Sequence, residues 1–146
     1  MQAQVKVAFD TNVDLDVLLD RSPHSEIASQ LFAYVARSEI TGILSATSIT
    51  TIHYVSSKNV GKSGADKLVE SLIGTFEIAE VNDDVIRSAL KLSFADFEDA
   101  VLHEVARNCG ADAIVTRDPK GFAKGSIRAF QPQSLLVLLE SGVINL

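Results

Sequence analysis

Cysteine and tryptophan are scarce in this sequence of 146 residues, which has one cysteine and no tryptophan. The single cysteine, Cys109, excludes an intrachain disulfide and a zinc site built from several thiolates. This composition is typical of a reducing compartment, so we expect a cytoplasmic protein. We expect Cys109 to be a small buried residue late in a helix and not a catalytic thiol.

Long hydrophobic runs are also missing. No window approaches the roughly 18 uninterrupted apolar residues that a membrane-spanning helix needs, and the first residues do not join a basic stretch to a long apolar run. Hydrophobic residues make up 47% of the chain and charged residues 22%, which is the balance of an ordinary globular protein. Because no repeat or linker divides the sequence, residues 1–146 are predicted to form one domain without a membrane partner.

Positive charge is the third shortage. Lys and Arg total 13 against 19 Asp and Glu, which gives a formal net charge of −6. This charge opposes the field that a passive nucleic-acid-binding module usually presents. It does not exclude an enzyme that acts on nucleic acid, because a bound metal ion can invert the local potential of an acidic pocket.

Short apolar runs alternate with helical patterns along the chain. The runs predicted as strands cover residues 5–9, 42–45, 76–81, 113–115 and 127–130. Helices are predicted over 11–20, from the Ser22-Pro23 pair onward, over 47–58, 62–73, from 82, over 96–110 and from about 133. This alternation predicts an α/β fold with a mainly parallel sheet covered by helices on both faces.

Four aspartates stand where predicted strands end or helices begin. Asp10 and Asp118 follow strands directly, and Asp96 and Asp99 share one face at the start of a helix. In parallel sheets, functional groups collect beyond the carboxyl ends of the strands. Each aspartate alone could be a helix cap or a turn residue. Carboxylates that meet in one place repel each other, however, and a bound cation relieves this repulsion. A site made only of oxygen ligands favours Mg²⁺ or Mn²⁺.

Three segments that contain these acids resemble the PIN domain family, in order and in spacing. They are Val7-Ala8-Phe9-Asp10-Thr11-Asn12-Val13, Asp96-Phe97-Glu98-Asp99-Ala100, and residues 111–122, which include Thr116-Arg117-Asp118. The resemblance implies a three-layer α/β/α sandwich and a metal-dependent ribonuclease, commonly the toxin of a VapBC-type toxin–antitoxin pair. It also implies that Asp10, Asp99 and Asp118 are catalytic metal ligands, with Asp96, Asn12 and Thr116 in supporting roles.

One position departs from the pattern that this family resemblance predicts. The family usually places a glutamate early in the third helix, and the matching residue here is Thr51. The missing carboxylate favours one metal ion over two. His53 lies on the same helix, where a half-buried structural histidine is favoured over a proton shuttle. His24 and His103 are expected on helix surfaces.

The resemblance also suggests a substrate and partners. RNA would be the substrate, and Arg21, Arg117 and Lys120 are the candidates to bind it, with Lys58 and Lys124 also expected near the pocket mouth. A disordered antitoxin could cover the acidic pocket and insert an arginine. A homodimer is expected, and the apolar residues Leu15, Val17, Leu18 and Leu19 are either part of its interface or plain core.

Two other functions stay open on the sequence. The absent glutamate favours a degenerate PIN-like domain that binds RNA or protein without cutting. A haloacid-dehalogenase-like phosphatase would use Asp10 as a nucleophile after the first strand. The haloacid-dehalogenase-like family has the pattern Asp-x-Asp-x-Thr at this place. This chain has Asp10-Thr11-Asn12-Val13 and lacks the second aspartate.

Overall fold

The computed structural model describes residues 4–142 and contains a five-stranded sheet in which every neighbouring pair is parallel. The strand order is β3-β2-β1-β4-β5. The strands are β1 Lys6–Phe9, β2 Thr41–Ser45, β3 Glu77–Ala79, β4 Ala113–Val115 and β5 Ala129–Phe130. The predicted strands are therefore present, and β1 lies at the centre of the sheet.

Six α-helices connect and cover the strands within the described residues. They are α1 Thr11–Leu18, α2 Ser25–Ala36, α3 Ala46–Thr75, α4 Asp83–Lys91, α5 Phe97–Asn108 and α6 Pro132–Glu140, and a 3-10 turn covers Pro119–Phe122. None of the described helices is long and apolar enough to cross a membrane.

Both faces of the sheet are buried, which explains why its strands are continuous apolar runs. Val7 and Phe9 of β1 pack into one hydrophobic cluster with residues of α1, α2, α3 and α6. Ala8 points the other way and packs with Leu102 and Ala106 of α5. Successive side chains of a strand point to opposite faces. The three-layer α/β/α fold implied by the sequence is confirmed.

The helix boundaries differ from the predicted ones at two places. The two helices expected over 47–58 and 62–73 form one element, α3, which is interrupted at Gly61, where φ is 75°. The helix expected from Ser22-Pro23 begins only at Ser25. The reason is a turn in which the N–H groups of His24 and Ser25 both donate to the carbonyl oxygen of Arg21, at 2.9 Å each.

The apolar residues in and just after α1 pack into the core. Leu15 is buried, and Val17, Leu18 and Leu19 pack against the same hydrophobic cluster. Of the two interpretations of these residues, plain core agrees with this packing. Large apolar side chains are exposed elsewhere, at Tyr54, Val60, Ile73, Ile78, Leu90, Phe97 and Val137.

His103 is buried, at 2% exposure, and the expectation of a surface position is wrong. Its Nε2 accepts hydrogen bonds from the backbone N–H groups of Ser126 and Ile127, at 2.9 and 3.2 Å. The ring proton therefore lies on Nδ1, which donates to Glu104 at 2.8 Å. A neutral His103 thus fixes the loop before β5 onto α5.

Cys109 is the residue that ends α5, and it is half-buried rather than fully buried. Burial raises the pKa of its thiol. The cysteine is therefore held in its neutral, unreactive form.

Candidate active site

Asp10 lies at the junction of β1 and α1, where backbone and side-chain hydrogen bonds fix it. Its N–H donates to the carbonyl oxygen of Val115 on the neighbouring strand at 3.0 Å. The hydroxyl of Thr116 donates to Oδ2 of Asp10 at 2.8 Å and accepts from the N–H of Asp118 at 3.1 Å. The buried Thr116 therefore connects the two aspartates that follow β1 and β4.

The first turn of α5 brings further carboxylates to the same edge of the sheet. The side chain of Asp96 caps the helix by accepting from the N–H of Asp99 at 3.1 Å. Opposite lies Gly121, where an added Cβ would stand 2.8 Å from Oδ2 of Asp99 and 3.4 Å from Oδ2 of Asp118. A glycine at this place leaves the space between the two carboxylates open.

These residues line a single pocket of about 340 Å³ at the carboxyl end of the sheet. Seven of the residues proposed for the site from the sequence line it together, namely Asp10, Asn12, Arg21, Thr51, Asp96, Asp99 and Asp118. Thr116 lies behind Asp10 as its hydrogen-bond donor. The pocket is therefore acidic, with one guanidinium among its lining residues.

Crowding shifts the titration of two of these carboxyls. Burial raises the pKa of Asp99 to about 7, and the charges of Asp10, Asp96, Glu98 and Asp118 add to the shift. Burial also raises the pKa of Asp10, although hydrogen bonds from Thr116 and Thr11 act against it. A cation in the pocket would relieve both effects.

The donor set fits a hard divalent cation. The negatively charged groups that line the pocket are all carboxylates of Asp and Glu. Their oxygen atoms suit Mg²⁺ or Mn²⁺, and such ions keep several waters when they bind proteins. As they stand, no three described acidic, histidine or cysteine side chains are grouped closely enough to hold a metal ion. An ion here would therefore be held partly through water or after rotation of side chains.

Two polar pocket residues were missed from the sequence, Glu98 and Thr11, along with the apolar Leu15 and Val55. The hydroxyl of Thr11 is 3.1 Å from Oε1 of Glu98 and 3.0 Å from Oγ of Ser48. These contacts join α1, α3 and α5 beside the pocket. Glu98 precedes Asp99 in the sequence, but only its contact with Thr11 of α1 shows that it faces the pocket.

The substrate-binding candidates separate in space, and Arg21 alone of the three lines the pocket. Arg117 does not line the pocket, and its Nε lies 3.0 Å from Oδ2 of Asp16. Lys120 faces a different depression beside Lys124, on the far side of the 3-10 turn. Arg117 and Lys120, which were expected near the pocket mouth, are therefore not among the residues that line the pocket.

Two other side chains near α3 also take no part in the pocket. Lys58 lies 4.2 Å above the ring of Tyr54 and is not a pocket residue. His53 is half-buried, and its Nε2 lies 2.7 Å from Oδ1 of Asp66 on the same element. The structural interpretation of His53 agrees with this contact.

Comparison with known proteins identifies the family. A family model described as a PIN domain matches residues 6–120, which is well over half of the chain. The chain belongs to the PIN domain family. The three segments that carried the resemblance lie within the match or run just beyond its end.

The chain is also similar to individual proteins whose names include VapC or VapBC. Ribonuclease VapC1 of Aquifex aeolicus (strain VF5) is 25% identical over 118 residues, covering 77% of this chain and 81% of that protein. The structure of VapBC2 from Rickettsia felis bound to a promoter DNA fragment matches with a TM-score of 0.69 at 14% identity, over 87% of this chain and 98% of that one.

A second solved structure gives the same fold. VapC20 of Mycobacterium tuberculosis, described as a sarcin-ricin loop cleaving toxin, matches with a TM-score of 0.64 at 15% identity, over 84% of this chain and 98% of that one. At these identities the structural likeness shows the fold alone. The family match favours the nuclease interpretation over the haloacid-dehalogenase-like phosphatase.

Proposed function

We propose that this PIN domain is a metal-dependent endoribonuclease that hydrolyses RNA phosphodiester bonds, with Asp10, Asp99 and Asp118 as catalytic metal ligands. The observation that carries the proposal is the pocket in which carboxylates from three separate segments meet, where burial and mutual repulsion raise the pKa of Asp99 to about 7. RNA as the substrate is supported by relatives, one of them named a ribonuclease and another a sarcin-ricin loop cleaving toxin.

When bound, Mg²⁺ or Mn²⁺ supplies the positive charge that polarises the scissile phosphate and activates water. Thr116 orients Asp10 for this ion, and Asp96 supports Asp99 by capping the helix on which Asp99 lies. Arg21 offers donors to a non-bridging phosphate oxygen from the pocket wall. Because Thr51 contributes no carboxylate to the pocket, we propose one ion rather than two.

Cleavage of RNA by the purified protein tests this function. We expect Mg²⁺ or Mn²⁺ to support cleavage of at least one RNA in a panel of structured and single-stranded substrates, and EDTA to abolish it. Asp99→Asn should reduce the rate at least about 100-fold, because a ligand of the charge-stabilising ion is lost. Asp84→Asn, on the exposed first turn of α4, is the matched control and should leave the rate unchanged.

Thr51→Glu separates weak activity from lost activity. It places a carboxylate where the pocket has a hydroxyl, so a protein that needs the fourth acid should cleave faster with it. Absence of metal-dependent cleavage by both the unmodified protein and Thr51→Glu would refute the enzyme function. The degenerate PIN-like binding domain would then be the better description, and gel-shift assays with the same RNAs would show binding without cutting.

We also propose that the protein acts in the cytoplasm as a homodimeric toxin controlled by an antitoxin. The exposed carboxylates of Asp96, Glu98 and Asp118 form an acidic mouth that suits an inserted arginine. The exposed apolar side chains of Leu90 and Phe97 supply surface for self-association. Sedimentation of the protein alone tests the homodimer, and sedimentation with the product of the adjacent gene tests the antitoxin. A protein that sediments as a monomer and binds no such product would contradict both proposals.

A further inference from the structure

Asp16 on α1 is a buried carboxylate that pairs with two arginines. Its side chain is 1% exposed, and its Oδ2 lies 3.0 Å from Nε of Arg117 while its Oδ1 lies 3.8 Å from Nη1 of Arg21. Burial of a carboxylate costs free energy unless cations compensate for the lost hydration. Asp16 therefore places a buried negative charge beside both guanidinium groups, in contacts that are ion pairs by distance and do not have hydrogen-bond geometry.

The two arginines come from separate parts of the chain. Arg21 follows α1, and its N–H donates to the carbonyl oxygen of Asp16 at 2.9 Å, whereas Arg117 follows β4. Each arginine side chain remains 35% exposed. Because a guanidinium carries five N–H donors, the contact with Asp16 leaves donors on both arginines for a ligand.

The arginines face different cavities. Arg21 lines the acidic pocket, and Arg117 lines a second cavity of about 250 Å³ between the loop before α2 and the start of α6, here named the arginine cavity. Its volume equals that of roughly eight molecules of liquid water, which is room for a ring-sized group. Asp16 and its arginines thus form a wall shared by the two cavities.

The chemistry of the arginine cavity is opposite to that of the acidic pocket. No carboxylate occurs among its described lining residues, and Arg117 is joined there by His24, Gln131 and Gln133 above the apolar side chains of Pro23 and Ile27. A guanidinium matches a phosphate group in charge and geometry. Carboxamides recognise base edges, and an apolar floor accepts the face of a base. Although the chain has a net charge of −6, the positive charge of Arg117 in this cavity attracts a polyanion locally.

Arg117 also stands next to a pocket aspartate in the chain. It lies between Thr116, which orients Asp10, and Asp118, which lines the acidic pocket, and neighbouring Cα atoms are about 3.8 Å apart. We infer that the arginine cavity binds the nucleotide adjacent to the scissile phosphate, with Arg117 contacting its phosphate and Asp16 as the positioning residue for Arg117. This inference rests on the proposed function for the choice of RNA as ligand.

Amide chemical shifts measured in EDTA with each of the four ribonucleoside 5′-monophosphates test the inference without metal or catalysis. At least one nucleotide should shift the signals of Ile27, Gln131 and Gln133. Arg117→Ala should weaken its binding about tenfold, as expected for the loss of a charge-assisted hydrogen bond. Arg87→Ala removes an exposed arginine that pairs with Asp83 on α4, and this control should bind like the unmodified protein.

Variants of Asp16 test its positioning role. Asp16→Asn should weaken nucleotide binding about as much as Arg117→Ala, and Asp16→Glu should restore part of it. If Asp16→Asn does not fold, Arg117→Lys is the variant to measure. Lysine keeps the positive charge but lacks the planar fork of arginine. The nucleotide affinity of Arg117→Lys should therefore fall between those of Arg117→Ala and the unmodified protein.

Three results would overturn the inference: no shifts at the three reporter residues, shifts that survive Arg117→Ala, or tighter binding of a hexaglutamate peptide than of any nucleotide. The last result would assign the cavity to an acidic protein segment. Nucleotide shifts without RNA cleavage would refute the proposed function but not the cavity. Cleavage without nucleotide shifts would refute the cavity inference alone.

Discussion

Asp14 lies on α1 with its carboxyl group fully buried, and neither of its oxygens has a hydrogen-bond partner among the described residues. Burial raises the pKa of Asp14 well above its ordinary value, and the charges of Asp10 and Asp16 add to the effect. The folded protein therefore holds a proton on Asp14 that the unfolded chain releases above about pH 4. Stability is present below that pH and is lost as the pH rises toward the folded-state pKa.

Replacement of Asp14 by leucine should stabilise the protein, and more at pH 8 than at pH 5. The variant removes an unpaired buried polar group, worth about 1–3 kcal/mol, and abolishes the pH-dependent loss. Urea unfolding in EDTA at the two pH values measures the gain. Asp84→Leu, at an exposed helix position, should show no pH-dependent gain. A destabilised Asp14→Leu protein at both pH values would mean that Asp14 makes a favourable interaction in the fold.

At the scale of the element, the 3-10 turn Pro119–Phe122 lies against the carboxylates of Asp99 and Asp118. A Cβ at Gly121 would stand within 2.8 Å of Oδ2 of Asp99. We expect Gly121→Ala to displace this carboxylate and to weaken Mn²⁺ binding about tenfold, as altered surroundings of metal ligands usually do. Titration calorimetry with Mn²⁺ measures the change.

The matched control for this turn is Gly74→Ala. Gly74 lies near the end of α3 with nothing within 4 Å of an added Cβ. Its replacement should leave Mn²⁺ affinity unchanged and stabilise the helix by about 0.5–1 kcal/mol. Equal Mn²⁺ affinities for Gly121→Ala and the unmodified protein would show that Asp99 tolerates the methyl group and does not need that space.

Elements whose features are local were predictable from the sequence. The strands are short apolar runs that end at Asp10 and Asp118, and α4 begins where the side chain of Asn82 accepts from the N–H of Val85 at 3.0 Å. The break at Gly61 follows from a residue that adopts positive φ without strain. What the sequence could not supply were contacts between distant segments. Arg117 turns toward Asp16, and His103 is buried by a loop more than 20 residues away.

At the scale of the whole molecule, the pocket exists only in the folded chain, because β1, β4 and α5 bring its carboxylates together. A ligand that binds only the folded state stabilises it, by about 2.7 kcal/mol at 100 times the dissociation constant. For a protein of this length that corresponds to a rise in Tm of roughly 5–10 °C.

We therefore expect Mn²⁺ to raise the Tm, and to raise it more at pH 8 than at pH 6. Since the pKa of Asp99 is about 7, the carboxyl is mostly protonated at pH 6 and the metal must displace that proton. Differential scanning fluorimetry at both pH values measures the effect. Asp99→Asn should remove most of the shift and its pH dependence. A shift of equal size at the two pH values would contradict the role given to Asp99.

The central position of β1 determines when the pocket can form during synthesis. Asp10 leaves the ribosome early, but the N–H that fixes it needs the carbonyl oxygen of Val115, and its carboxylate needs the hydroxyl of Thr116. The central strand thus waits for a partner more than 100 residues later in the chain. The acidic pocket can therefore form only after the segment that contains Val115 and Thr116 has been synthesised.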